Sequence, residues 1–363
     1  MTEQHQIAIF EAMENPDFYP HAVSTIEQRD THISKVFLTG NFAYKIKKPI
    51  NLEFLDFTTL DKRRHFCRQE IDLNRRLALD VYLDVIPITF QNGRYHMAGA
   101  GSIVEYAVKM RQLPETSYML QLVRRRKLEK GPIDALAGAL AKFYTRASTS
   151  ESINTVGSLE TLRINCEENF RQTEKFVPEI IDEQMFLIIQ AATRAFLQRR
   201  RSLFQRRVER GKIRDCHGDL RAGHIYFTDG IKIIDCIEFN DRFRYADITS
   251  DLAFFAMDLD FEGYPQIAQH LMNTYLEYTK DEEMLILLDF YKCYRAYVRV
   301  SDARLRHLKQ LKAHFESLKK LQNDMHLKIN TEESPDACMR QILSHDYIFL
   351  TQQTVIAMKN LSL

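Results

Sequence analysis

CHGDLRAGHIYFTDGIKIIDCIEFNDRFRYADITSD, residues 216–251, is the stretch from which the rest of the chain can be read. It sets His217, Asp219, His224, Asp235, Glu238, Asp241, Asp247 and Asp251 around one short apolar hairpin, more ionisable groups than a structural strand pair needs. The runs His224-Ile-Tyr-Phe and Ile231-Lys-Ile-Ile flank Thr228-Asp229-Gly230, and Asp-Gly supplies the positive φ of a tight hairpin turn. The open ends of that hairpin are expected side by side, which brings together Asp219, in the loop before the first strand, and Asp235, at the exit of the second. Such a pair of carboxylates serves a divalent metal, a general base beside a metal ligand, or the acid and base of a glycosidase. The structural alternative is that the acids cap loops and helix starts.

The order of the residues favours one use. His-Gly-Asp in a loop, a hairpin, and then an Asp after an apolar strand is how phosphoryl-transfer enzymes of the protein-kinase type order a base and a metal ligand. The stretch resembles the catalytic segment of the aminoglycoside phosphotransferase family, with His217-Gly218-Asp219 as its HGD element and Ile234-Asp235 as its metal-binding aspartate.

The 363 residues, 45% apolar and 27% charged, suffice for a substantial core in two packed lobes or domains. A formal net charge of +1 gives no global attraction for a polyanion, so nucleic acid is not an expected partner. Six cysteines, at 67, 166, 216, 236, 293 and 338, show no CxxC or Cys/His spacing and read as reduced thiols of a cytoplasmic protein. The first residues, MTEQHQIAIFEAMENPDFYP, lack the basic and apolar regions of a signal peptide. No apolar run approaches the roughly 20 residues that cross a membrane.

Gln6 to Tyr19 reads as a short helix leading into the first lobe. Thr31 to Leu38, the turn Thr39-Gly40-Asn41, and Phe42 to Lys48 form a hairpin in which Ala43, Lys45 and Lys47 share one face, by default a solvated one. The helix LDKRRHFCRQEIDLNRRLAL then carries Phe66, Glu70, Leu73 and Leu77 along an apolar stripe. A carboxylate on such a stripe needs a cation, and Lys45 or Lys47 on the preceding strand is placed to supply it. Kinases use this lysine–glutamate pair to hold a lysine on the nucleotide's phosphates; matching Phe42-Ala43-Tyr44-Lys45 to Val-Ala-Ile-Lys selects Lys45, with Lys47 the alternative. Asn92-Gly93 marks a further hairpin, and Ser102 to Arg111 alternates as a strand.

From Thr116 to Arg210 the pattern is helical, which sets a lobe boundary near Leu113 to Thr116. Arg199 to Arg201, Arg206, Arg207 and Arg210 read as a solvated basic face at a helix end. Asp247 is a natural N-cap of the next helix, with Asp251 one turn on. A long helix from Glu282 puts Leu287, Tyr291, Tyr294, Val298, Leu305 and Leu308 on one face, and Arg295, Arg299 and Asp302 away from it. Thr331 to Leu363 reads as a loop and a closing helix.

The resemblance implies a two-lobed, α+β, protein-kinase-like fold: a small antiparallel-sheet lobe with one helix, residues 1–113, binding nucleotide, and a larger, mostly helical lobe, residues 114–363, for catalysis and substrate. It implies ATP with Mg²⁺ and transfer of the γ-phosphoryl group to a hydroxyl of a small molecule. Asp219 would accept or orient the hydroxyl proton, Asp235 would hold Mg²⁺, and Lys45 held by Glu70 would bind the phosphates. Met110, Arg111, Gln112 and Leu113 would offer backbone groups to the adenine edge. His217 and Asp251 would support the loop, and Arg295 and Arg299 would contact the substrate. Three departures stand out. His224 replaces the usual Asn, and imidazole suits Mn²⁺ or a phosphate better than Mg²⁺. The phosphate-covering turn is reduced to Thr39-Gly40-Asn41, and no G-x-x-x-x-G-K-[ST] element is present. A pseudokinase that binds nucleotide without turnover is the alternative reading. A protein kinase is disfavoured because Asp235-Cys236-Ile237 stands where Asp-Phe-Gly would be.

Overall fold

The computed structural model describes residues 3–302, other than 53, 179, 180 and 182. In chain order the first part runs α1 (Glu3–Ala12), β1 (Glu27–Asp30), β2 (Ser34–Leu38), β3 (Phe42–Lys47), the small strands β4 (Asn51–Leu52) and β5 (Leu55–Asp56), α2 (Leu60–Asn74), β6 (Tyr82–Gln91), β7 (Arg94–Met97), β8 (Ser102–Arg111) and α3 (Met119–Arg124). Six strands form one antiparallel sheet in the order β1-β2-β3-β8-β6-β7. The β6–β7 turn is built by Asn92 at φ 51° and Gly93 at φ 77°, the paired left-handed conformations that Asn-Gly favours. One face of the sheet packs Tyr44, Ile46 and Ala107 against Ile9 and Met13 from the N-terminal region. The other packs Ala43 and Val108 against Cys67 and Ile71 of α2.

The second part continues with α4 (Lys130–Arg146), α5 (Glu151–Val156), α6 (Leu159–Glu174), α7 (Glu183–Arg199), α8 (Arg201–Glu209) and β9 (Ile213–Asp215). The hairpin β10 (Ile225–Thr228) and β11 (Gly230–Ile233) follows, then α9 (Asp241–Arg244), β12 (Tyr245–Asp247), α10 (Ile248–Phe261), α11 (Pro265–Thr279) and α12 (Glu283–Asp302). Phe170, Phe186, Phe196, Phe204, Leu287 and Phe290 belong to the core of this helical part. Asp247 caps α10, its Oδ1 accepting the Thr249 N–H at 2.8 Å.

The fold is thus α+β, as expected: an antiparallel sheet with one long helix after its third strand, then a helical body broken by one hairpin. The chain divides into two compact units, Met1–Leu128 with Gly223–Phe243, and Glu129–Ala222 with Arg244–Leu363. The boundary expected between 113 and 114 thus falls at 128, and the hairpin rejoins the first unit. Local contacts explain both shifts. Tyr118 bridges Tyr226, the Ile233 N–H reaches the Leu77 carbonyl at 3.4 Å, and Lys232 pairs with Asp80 at 2.7 Å.

Four expectations are corrected. The lysine face of β3 is not solvated: Lys45 and Lys47 are both buried. The inward stripe of α2 is Arg63, Cys67, Glu70, Ile71 and Asn74, with Phe66 and Leu73 flanking it. Arg63, Glu70 and Asn74 are polar, so a search for apolar periodicity rotates the helix. Among the arginines assigned to a solvated face, Arg207 is buried between Asp247 at 2.7 Å and Asp281 at 2.5 Å. Finally, Thr39-Gly40-Asn41 is pinned at the Arg111 end of the sheet, where the Gly40 N–H donates to Gln112 Oε1 at 2.9 Å and the Gln112 N–H to the Asn41 carbonyl at 3.0 Å. A glycine amide so engaged is no phosphate cradle. The turn at the Lys47 end is Thr31-His32-Ile33, because β1, unrecognised in the sequence, pairs with β2. The expected loop and helix from Thr331 to Leu363, and Leu305 and Leu308, lie outside the described residues.

Candidate active site

In the first unit, β3 delivers Lys45 and Lys47 from one face, two residues apart, to the buried Glu70 of α2. Lys45 Nζ lies 2.8 Å from Glu70 Oε1 and 2.7 Å from Asp235 Oδ1. Lys47 Nζ lies 2.7 Å from Glu70 Oε2 and also bonds Glu238. Burial alone would lower the Lys45 ammonium, but Asp235, Glu70 and Glu238 outweigh it and hold it well above its ordinary range. Burial pushes Glu70 up, and the two lysines win, leaving its carboxyl below the usual range. For Glu238 burial wins over Lys47, and the carboxyl is raised. Five ionisable groups, two amines and three carboxyls, share one network, and its outlet is Asp235, whose side chain is 46% exposed.

Asp235 is fixed from behind. Its φ of 65° is left-handed, a conformation costing an ordinary L-residue about 1–2 kcal/mol and tolerated best by Gly, Asn and Asp. The Asp235 N–H donates to the Tyr82 hydroxyl at 3.1 Å, and the Cys236 N–H to Asn74 Oδ1 at 2.8 Å. His224 Nε2 is 3.6 Å from Asp235 Oδ2. Among the described residues no three His, Cys, Asp or Glu side chains group around a position for a metal ion. Of the residues expected at the adenine edge, Met110 lies in β8 and pairs with Ala43 and Tyr82. The Arg111 N–H is donated to Val81 O at 2.8 Å and the Gln112 N–H to Asn41 O, so those two donors are engaged within the unit. Leu113 packs beside Ala43 and Met110.

In the second unit, β9 and β12 pair Ile213 with Asp247 and Asp215 with Tyr245, and the loop 216–222 springs from that ladder. Asp251 of α10 is fully buried and accepts the His217 N–H at 2.7 Å and the Gly218 N–H at 2.9 Å, and the Tyr144 hydroxyl at 3.2 Å. Burial raises its carboxyl above the ordinary range despite Arg295 and these donors. Asp258, two turns further along α10, accepts the Ala222 N–H at 3.1 Å. The loop carrying Asp219 is therefore suspended by its backbone from two carboxylates of one helix. The Asp219 N–H donates to His217 Nδ1 at 3.3 Å. Arg221 grips the Asp219 carboxylate, with Nε 2.8 Å from Oδ1 and Nη2 2.9 Å from Oδ2.

The reading of Arg295 as a substrate contact is corrected. Its guanidinium is buried, donating to Gly218 O at 3.2 Å and Ser250 Oγ at 3.1 Å, and lies 5.0 Å from the Phe254 ring centroid. It braces the loop from below. Arg299 stands in α12, and its side chain lies outside the described residues.

Sequence reasoning missed Arg221, Tyr82, Asn74 and Asp258, and assigned no role to Glu238. Arg221 and Glu238 had a signal, lying two and three residues beyond Asp219 and Asp235. The other three act across long sequence separations, with nothing local to mark them.

No protein-family model matches the chain. Uncharacterized proteins of Mycobacterium tuberculosis and Mycobacterium bovis are 33% identical to it over 275 residues, 76% of this chain and 54% of theirs. The chain spans about half the length of the curated relatives it matches. Among solved structures it is similar to the GDP complex of an aminoglycoside 2'-phosphotransferase-IIIa, with a TM-score of 0.45, 14% identity and 100% of both chains covered. A choline/ethanolamine kinase family protein from Mesorhizobium loti gives 0.43, 11% identity, and 99% and 100% coverage. A glucosamine kinase with glucosamine, ADP and inorganic phosphate gives 0.42, 13% identity, and 82% and 81% coverage. By name, all three are phosphotransferases or kinases. No described helix is long and apolar enough to cross a membrane.

Proposed function

We propose that the chain is an ATP-dependent phosphotransferase that moves the γ-phosphoryl group to a hydroxyl of a small molecule. The observation that carries this reading is the Lys45 ammonium set between Glu70 at 2.8 Å and Asp235 at 2.7 Å. A lysine steadied by a buried carboxylate, beside a half-exposed one, is the arrangement that fixes a cation for phosphate oxygens and keeps a ligand for a divalent ion. Lys47 is the lesser candidate, being buried between Glu70 and Glu238. Mg²⁺ is commonly held by one or two carboxylates together with phosphate oxygens, so Asp235 alone fits the ion. When bound, the ion supplies neutralisation of phosphate charge. His224 suits an orienting contact to Asp235, or a shift toward Mn²⁺, better than ligation of Mg²⁺.

Asp219 then orients the acceptor hydroxyl and takes its proton. The hydroxyl oxygen forms a bond to the γ-phosphorus while the bond to the bridging oxygen breaks, its electron pair leaving with ADP. Arg221 aims the Asp219 carboxylate, and Asp251, Asp258 and Arg295 hold the loop beneath it. Positioning and charge neutralisation supply most of the rate.

The test is ATP turnover against a panel of hydroxyl compounds, following ADP and phosphorylated product, with Asp219→Asn and Asp235→Asn beside the wild type. Asn is chosen because it keeps the left-handed backbone tolerance at 235. Each substitution is expected to lower turnover by about 10²-fold or more. ATP binding without product from any acceptor supports a second reading, a nucleotide-binding protein without turnover. The ion pair of Arg221 with Asp219, hydrogen-bonded through Nη2 to Oδ2, favours it, since a carboxylate so engaged is a weaker base.

A further inference from the structure

Arg63 and Glu105 form an ion pair with no exposed side-chain surface, to which the proposed chemistry assigns no part. Arg63 Nε lies 2.9 Å from both Glu105 oxygens, and its Nη1 donates to Phe57 O at 2.9 Å and Thr58 O at 3.1 Å, at the entrance to α2. Burial raises the Glu105 carboxyl even against Arg63, Gln6 and the Tyr106 N–H. A pair that must be desolvated this fully is a poor source of stability, and apolar residues of similar volume commonly replace such pairs without loss. Its value lies in geometry. Arg63 precedes Glu70 by seven residues, about two helical turns, so the two project from the same side of α2. Bolting Arg63 to β8 therefore fixes both the roll and the slide of the helix that carries Glu70.

A third residue closes the device. Gln6 of α1, also buried, donates from Nε2 to Glu105 Oε2 at 3.2 Å and to the Lys47 carbonyl at 2.8 Å. The β3–β8 pairing ends at Ile46 and Ala107, so the Lys47 carbonyl lies just past the last ladder pair, where the strand has lost its partner on that side. One amide thus ties the end of the lysine strand to the same carboxylate that ties down the glutamate helix.

We propose that Gln6, Glu105 and Arg63 are positioning residues that set the distance between Glu70 and the β3 lysines, making α1 a part of the phosphate-binding apparatus. The proposal rests on the phosphotransferase reading only for what Lys45 binds; the mechanical link is independent of it.

The experiment uses the full chain with Arg63→Met/Glu105→Leu, which replaces the pair by apolar volume, and separately Gln6→Leu, which leaves the ion pair intact. Binding of ATP and of adenosine is measured by calorimetry, and amide exchange of α2 by mass spectrometry. Both variants are expected to weaken ATP by about tenfold, or 1.4 kcal/mol, while adenosine binding is unchanged, because adenosine lacks the phosphates that Lys45 meets. Exchange of the Arg63–Asn74 amides is expected to quicken. Equal weakening of ATP and adenosine would mean general damage and overturn the proposal, as would unchanged ATP affinity with unchanged α2 exchange. If the double variant does not fold, Gln6→Leu decides alone. Should the wild type bind neither ligand, the functional reading fails, and α2 exchange still decides the mechanical link: faster exchange supports it, and no change overturns it.

Discussion

Lys45 and Lys47 share Glu70 but differ in their second carboxylate, and that difference makes them unequal. Lys47→Met leaves Glu70 its pair with Lys45 and strands Glu238, which is buried; uncompensated buried charge costs about 3–5 kcal/mol. Lys45→Met leaves Glu70 paired with Lys47 and takes an ammonium from Asp235, a carboxylate that water already reaches. Denaturant unfolding at neutral pH is expected to show a clearly larger loss for Lys47→Met, and equal losses would sink this account of the network. The pH dependence follows from the signs. The Glu238 carboxyl is raised above 4.5, so the folded state binds the extra proton, and stability contributed by that site rises as pH falls toward 4.5. Without Lys47 this effect grows, and the deficit of Lys47→Met is expected to shrink on acidification. Glu70 runs the other way: its carboxyl is lowered, so its contribution is present above 4.5 and lost below it. Lys45, Glu70 and Asp235 could be picked out from residue type and spacing because each lies in a short local pattern. Tyr82's hold on the Asp235 backbone is a hydrogen bond between residues far apart in the chain, which no spacing rule announces.

At the scale of elements, α10 does for the Asp219 loop what α2 does for Lys45. Its Asp251 accepts the His217 and Gly218 amides, and its Asp258 the Ala222 amide. A buried N–H left without a partner costs about 1–3 kcal/mol, so Asp251→Ala, which removes the acceptor of the His217 and Gly218 N–H groups, is expected to destabilise by about 2–6 kcal/mol. Amide exchange separates the two variants. Asp251→Ala should speed exchange at His217 and Gly218 most, and Asp258→Ala at Ala222 more than at those two; a uniform response across the loop would contradict the two-anchor arrangement. Elements closed by turn chemistry were readable in advance, as the Asp229-Gly230 and Asn92-Gly93 hairpins were. The inward face of α2 was not, since three of its five buried residues are polar and gain their place by long-range pairing. Strand β1 was missed for a related reason. Glu27-Gln-Arg-Asp is exposed throughout and carries no alternation to read.

The whole molecule departs from a linear division because its first unit is made of two separated stretches, 1–128 and 223–243. A composition shift locates where helices begin, but it cannot tell that a later hairpin returns to the sheet. What brings it back is electrostatic as well as apolar: Asp235 and Glu238 supply two of the three carboxylates that balance Lys45 and Lys47. A fragment of residues 1–128 therefore retains two buried lysines and the single carboxylate of Glu70. One ammonium is left without a balancing carboxylate, at a cost of several kcal/mol, comparable to much of a domain's net stability of about 5–15 kcal/mol. The fragment is expected to lack the near-ultraviolet circular dichroism and dispersed amide spectrum of a folded domain. Because the deficit is one of charge, Lys47→Met within the same fragment should recover part of that order by restoring one cation to one anion. Native-like spectra from the unsubstituted fragment, or no improvement on removing Lys47, would show that the later stretch is not required for charge balance and that apolar packing alone closes the unit.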